Sequence, residues 1–213
     1  MMTEPDVALT DYGLAIECAL FSVLLHRQGS SQHSLRGWCV LFFGATGVAA
    51  LAGGTVHGFF LDPATVGHAV LWPLTLMAIG LTALATWMLG AGLLLSVRVR
   101  RWITLSVTLE LIAYRALVLC VTRTFLLAVV NYLAATLFLL VALAVVYQRQ
   151  RQRGVLVMLA GLLLTFTAAW VQTARIGLHP TYFSYNALYH VIQAAALFLI
   201  FRGARQLTQH QGR

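Results

Sequence analysis

Seven long apolar runs fill almost all of this chain, at about 8–26, 37–60, 66–96, 102–121, 124–147, 154–175 and 183–203. Each is close to or above the ~20 residues that carry a helix across ~30 Å of hydrocarbon. The chain is 60% hydrophobic and 9% charged, whereas a soluble domain carries about 25% charged residues. So few polar side chains cannot cover the outside of a folded chain, and lipid must be its solvent. The expected fold is all-α: one polytopic domain over 1–213, a bundle of seven transmembrane helices. Glu4, Asp6 and Asp11 precede or open the first run and no basic segment stands before it. That run is therefore expected to be a span and not a cleaved leader.

The arginines fall on one side of this map. Arg27 and Arg36 flank the first loop, and Arg98, Arg100 and Arg101 fill the third. Arg149, Arg151 and Arg153 fill the fifth, and Arg202, Arg205 and Arg213 occupy the tail. The opposite side has the acidic N-terminus, Asp62, Arg123 and Arg175. The positive-inside rule then puts the N-terminus outside and the C-terminus inside. In a soluble protein a net charge of +8 would point to nucleic acid. Here the arginine loops answer to topology and lipid headgroups, and no nucleic-acid partner is expected. All 14 Lys and Arg residues are arginine. Retinal needs a lysine amine for its Schiff base, so a retinal protein is excluded. Frequent Ala, Leu and Arg without Lys matches a high-GC bacterial genome, and the expected location is a bacterial inner membrane.

Loops of about four to ten residues make successive helices antiparallel neighbours. Gly44, Gly47, Gly53 and Gly54 in the second run would let helices approach closely, and Pro73 is expected to kink the third. Cys18, Cys39 and Cys120 lie at different depths and read as small core residues.

Polar side chains inside a span are costly, about 2.5–3.5 kcal/mol for a charge at the centre on insertion scales. Placed by depth, most lie toward the outer side: Glu17, His57, His68, Tyr114, Arg115, Asn131, Gln172, Asn186, His190 and Gln193, with Glu110 near mid-span and His179 in the loop before the last run. Asn186, His190 and Gln193 stand at i, i+4 and i+7, one stripe on one face. His68, Trp72, Thr75, Thr82 and Thr86 follow the same spacing, as do Thr46, Gly53 and His57, and Thr165, Ala169 and Gln172. Four polar stripes imply an internal cavity open to the outside, or interhelical hydrogen bonds that close the bundle. Glu110 and Arg115 are about 140° apart on one helix and cannot pair with each other. Glu17 could pair with Arg115, and Glu110 with Tyr114.

His57, His68 and His190 share one depth on three helices. Imidazole is the commonest ligand of zinc-type metals, and three protein ligands plus a water make a catalytic zinc site. These three are the candidate metal ligands. Glu17 and Asn186 are the candidate catalytic residues beside them, and zinc is the candidate cofactor.

The run Gly53-Gly54-Thr55-Val56-His57, His68 eleven residues on, and Asn186-Ala187-Leu188-Tyr189-His190 together resemble the superfamily of alkaline ceramidases and adiponectin/progestin receptors. The resemblance implies seven helices and a zinc site toward the N-terminal face. In that superfamily the site uses a His ending helix two, an H-x-x-x-H pair in helix seven, an Asp early in helix three and a Ser before the helix-two His. His57 and His190 match. His68 stands near the Asp position, Asn186 stands at the other His, and Gly53 replaces the Ser. The implied activity is hydrolysis of a lipid amide or ester by metal-bound hydroxide. The alternative is a non-enzymatic membrane protein that binds a lipid, another apolar small molecule such as a pigment, or a partner protein, as a receptor, an oligomer or an accessory subunit of a larger complex.

Overall fold

The computed structural model describes residues 2–28, 33–179 and 182–210. These form seven helices: α1 Pro5–His26, α2 His33–Phe59, α3 Val66–Leu94, α4 Val97–Cys120, α5 Phe125–Gln150, α6 Arg153–Thr173 and α7 Tyr185–His210. All seven are long and apolar enough to cross a membrane. The protein is an integral membrane helix bundle. Arg213 of the basic tail lies outside the described residues. α1 starts on Pro5, whose missing N–H costs nothing in the first turn. Thr65 caps α3 by accepting from the His68 N–H, and α3 runs on through Pro73.

The helices are longer than the apolar runs at several ends. α4 begins at Val97 and not at 102, so Arg98, Arg100 and Arg101 form its first turns rather than a loop. α7 runs on past Arg205. A span needs only ~20 residues, and a helix of 24 or 26 residues projects its charged end into the headgroup layer. Hydropathy alone mistakes that charged turn for a connection.

Six helices close a ring in the order α1–α2–α3–α5–α6–α7, and α7 returns to α1. α4 stands outside it, packed on α3. The short loops do make most successive helices neighbours, but α5 packs on α3. The cause lies in α4 itself, whose buried residues are Val107, Tyr114 and Val118. Trp102, Leu105, Leu109, Ile112 and Leu119 on its other side are exposed, and a one-sided helix has nothing to offer a ring interior. Tyr114 fixes it in place. Its hydroxyl donates to Leu76 O at 2.8 Å, and its ring lies against Gly80, where an added Cβ would come within 2.7 Å.

The two ends of the ring differ. Toward the arginine-rich end the core is apolar, with Phe21 stacked on Phe201 at 4.2 Å and edge-on to Phe43. A narrow pocket there is lined by Phe42, Leu89, Tyr132, Leu139 and Leu162. Toward the acidic N-terminal end the interior carries the polar side chains. Glycines set the tightest seams. An added Cβ at Gly54 would lie 2.7 Å from Asp11 Cβ, and one at Gly47 3.2 Å from Cys18 Cβ. Between α6 and α7 the backbones themselves come close, at Gly154, Gly161 and Gly203.

Candidate functional site

At the acidic end an acidic side chain and an imidazole are buried together, Asp11 of α1 and His190 of α7. Asp11 Oδ1 lies 3.3 Å from His190 Nε2, and both side chains are about nine-tenths buried. Thr10 Oγ1 lies 3.0 Å from the other ring nitrogen, Nδ1. The residue spacing of α1 builds this site. Val7, Ala8, Asp11, Leu14, Ala15 and Cys18 are its buried face, at the i, i+3, i+4, i+7 spacing of one helical side. Small residues beside Asp11, together with Gly54 of α2, leave room for the carboxyl group.

Proton counting constrains the pair. Thr10 Oγ1 has one hydrogen and two backbone carbonyls in reach, Asp6 O at 2.8 Å and Val7 O at 2.9 Å. With that hydrogen on a carbonyl, Nδ1 must carry its own and donate to Thr10. One further proton then joins Nε2 to Asp11, on whichever atom holds it. Both placements leave the pair with no net charge. In the other tautomer, with Thr10 donating to Nδ1, an ionised Asp11 would be a net carboxylate in a dry interior, which costs far more.

Around this pair lie further links. Glu4 Oε2 meets His57 Nδ1 at 2.5 Å nearer the surface, and Glu4 N donates to His57 O. Asp6 Oδ2 accepts from the Ser184 N–H at the start of α7, 2.9 Å away. Tyr12 donates to Thr55 at 3.2 Å. One turn along α7 from His190, Gln193 Nε2 donates to Thr165 Oγ1 of α6 at 3.4 Å, and Thr165 gives its own hydrogen to Gly161 O. Gln193 Oε1 is buried and has no hydrogen-bond partner.

The three candidate metal ligands do not share a point. His57 bonds Glu4. His68 Nδ1 lies 2.9 Å from Phe60 O and its ring stacks on Trp72. His190 is held by Thr10 and Asp11. Among the described residues no three His, Cys, Asp or Glu side chains are grouped to hold a metal ion. The residues present do not fit a zinc site of the expected kind.

Asn186 Oδ1 accepts from Gln172 Nε2 at 3.1 Å, an α6–α7 link. His179 accepts from the Tyr182 N–H at 3.1 Å in the loop before α7, and Asn131 is half-buried on α5. Glu17 does not meet Arg115. Each keeps a buried atom without a partner, Oε2 and Nε respectively, because α4 stands outside the ring and α1 packs on α2 and α7. Tyr114 spends its hydroxyl on Leu76 O and not on Glu110. Glu17 is six residues, and so about 240° around the helix, from Asp11; it therefore cannot face the same interior. Asp11 and Thr10 are the site residues that depth alone overlooks. The signal that finds Asp11 is the phase of the small residues Ala8, Ala15 and Cys18; Thr10 is off that face and is found only by its contact with His190.

No curated protein and no solved structure matches this chain. A family model does: it is described as a family of unknown function, DUF6962, and it matches residues 7–209. That match reaches into all seven helices and spans the Asp11–His190 site, so the chain belongs to this family of unknown function.

Proposed function

We infer that the protein is a non-enzymatic binding protein of the membrane, and that its acidic end holds the polar head of a lipid-like molecule. One observation carries the reading. Gln193 Oε1 is an acceptor without a partner on a residue only 7% exposed, one turn from a buried carboxyl–imidazole pair. A buried acceptor left unmade costs about 1–3 kcal/mol, so a donor belongs there. Turning the amide over would leave an unpartnered N–H instead, and the need for a ligand group would remain. A hydroxyl or amine head would supply the donor that Gln193 Oε1 needs. A metal-dependent hydrolase is the less favoured reading, because the histidines it would use are each engaged elsewhere. The orientation proposed is N-terminus out and C-terminus in, in a bacterial inner membrane.

Mass spectrometry of lipid extracted from the detergent-purified protein tests this. The wild type is expected to retain a stoichiometric lipid and Gln193→Leu to lose it while staying folded. Lipid-free Gln193→Leu should be more stable than the lipid-free wild type by about 1 kcal/mol, as the orphaned acceptor is gone. Equal lipid in both proteins would sink the reading. For orientation, a cysteine introduced at position 62 should react with a membrane-impermeant label added outside, and one at position 100 should not. The reverse pattern would overturn the topology.

A further inference from the structure

At the arginine-rich end, far from the site above, the charge is unbalanced. Arg98, Arg100 and Arg101 stand in the first turns of α4, and Arg149, Arg151 and Arg153 surround the α5–α6 turn. All but the half-buried Arg100 are exposed. α3 packs against both α4 and α5, so the two groups flank one helix end. The chain has six acidic residues, Glu4, Asp6, Asp11, Glu17, Asp62 and Glu110, and none lies at this end. The described residues show no ion pair for any of the six arginines.

One of these charges, on Arg151, is held in place by the backbone and by an aromatic ring. Arg151 ends α5 with φ 51°, a left-handed conformation that glycine adopts freely and a side chain does not. There its guanidinium lies 5.4 Å from the centre of the Tyr147 ring. Arginine also raises the positive potential at the start of α4, where an acidic residue is usual and none is present. The patch is therefore electrostatically incomplete without anions.

We propose that this surface binds the phosphates of anionic phospholipid headgroups. The depth of the patch selects the occupant. Trp102 follows Arg101 and is 68% exposed, with Val97 and Val99 exposed beside it. An exposed indole at a span end belongs in the headgroup layer, and the phosphates fixed at that level are those of lipids. Guanidinium takes phosphate through two parallel hydrogen bonds, which an ammonium does not. The six arginines make a binding surface that distinguishes anionic from zwitterionic lipid.

The test is the thermal midpoint of the purified protein in neutral detergent, with phosphatidylglycerol or phosphatidylcholine added at low and at high salt. Phosphatidylglycerol is expected to raise the midpoint, the rise to shrink at high salt, and phosphatidylcholine to leave it unchanged. Removing three arginines in Arg98→Gln/Arg100→Gln/Arg101→Gln should weaken phosphatidylglycerol binding on the order of 100-fold. The same three changed to Lys keep the charge that sets membrane orientation, so this variant serves where the Gln variant does not insert, and it is expected to lose part of the rise. Equal shifts from the two lipids in the wild type, or a larger shift from a short RNA oligonucleotide than from phosphatidylglycerol, would overturn the proposal.

Discussion

His190→Leu should destabilise the bundle by about 3 kcal/mol, the scale for stripping one partner from a buried pair, while Asp11→Asn should cost about 1 kcal/mol or less. The asymmetry follows from the proton count. In the tautomer whose Nδ1–H is directed to Thr10 Oγ1, 3.0 Å away, Nε2 is free to accept, and the amide N–H of an asparagine at position 11 can donate to it as the shared proton did. The hydrogen bond to Nε2 is kept and the net charge of the pair does not change. His190→Leu instead strands a carboxyl that is nine-tenths buried, and removes the hydrogen bond to Thr10. Asp11→Leu should resemble His190→Leu. In the double variant the second change should cost less than it does alone, because neighbouring partners are not additive. Reversible unfolding in mixed micelles measures all four proteins. An Asp11→Asn protein as unstable as His190→Leu would mean that the charge itself matters and that the pair is an ion pair.

Gly203→Ala and Gly161→Ala should each cost about 3 kcal/mol, the upper end for one forced methyl in a packed interface. A Cβ on Gly203 would meet Gly154 O at 2.5 Å and Met158 N at 2.7 Å. One on Gly161 would meet Ala196 O at 2.8 Å and Ile200 N at 2.9 Å. These are backbone atoms, which no rotamer change can move, so the α6–α7 seam must widen along its length. The controls lie in the same protein. Gly13 and Gly37 have nothing within 4 Å of an added Cβ. Alanine there should be neutral or stabilising by about 0.5 kcal/mol, since glycine is the poorer helix former. Equal effects at all four positions would show that helix propensity, and not the seam, governs the outcome.

The seven spans and the gathering of polar groups at one end were legible in the chain because membranes make hydropathy and charge local properties. A run of ~20 apolar residues spans whatever its neighbours do. Helical phase was legible too: Asn186, His190 and Gln193 do face other helices, as their spacing requires. What one stripe cannot say is which stripe it meets. Depth matched His57, His68 and His190 to one level, yet each ring took a different partner. Depth likewise matched Glu17 to Arg115, which the displaced α4 keeps apart.

By itself, then, the sequence determined the number of helices, the segregation of arginine from acid between the two ends, and the polar faces. The tertiary structure decided the ring order, the exclusion of α4 and the pairing of Asp11 with His190. The reason is the range of the forces. Transfer into lipid acts on each helix separately, whereas lateral packing between helices depends on shape. Glycine and alanine at Gly54, Gly161, Gly203 and Ala8 set that shape, and their meaning appears only when two helices touch.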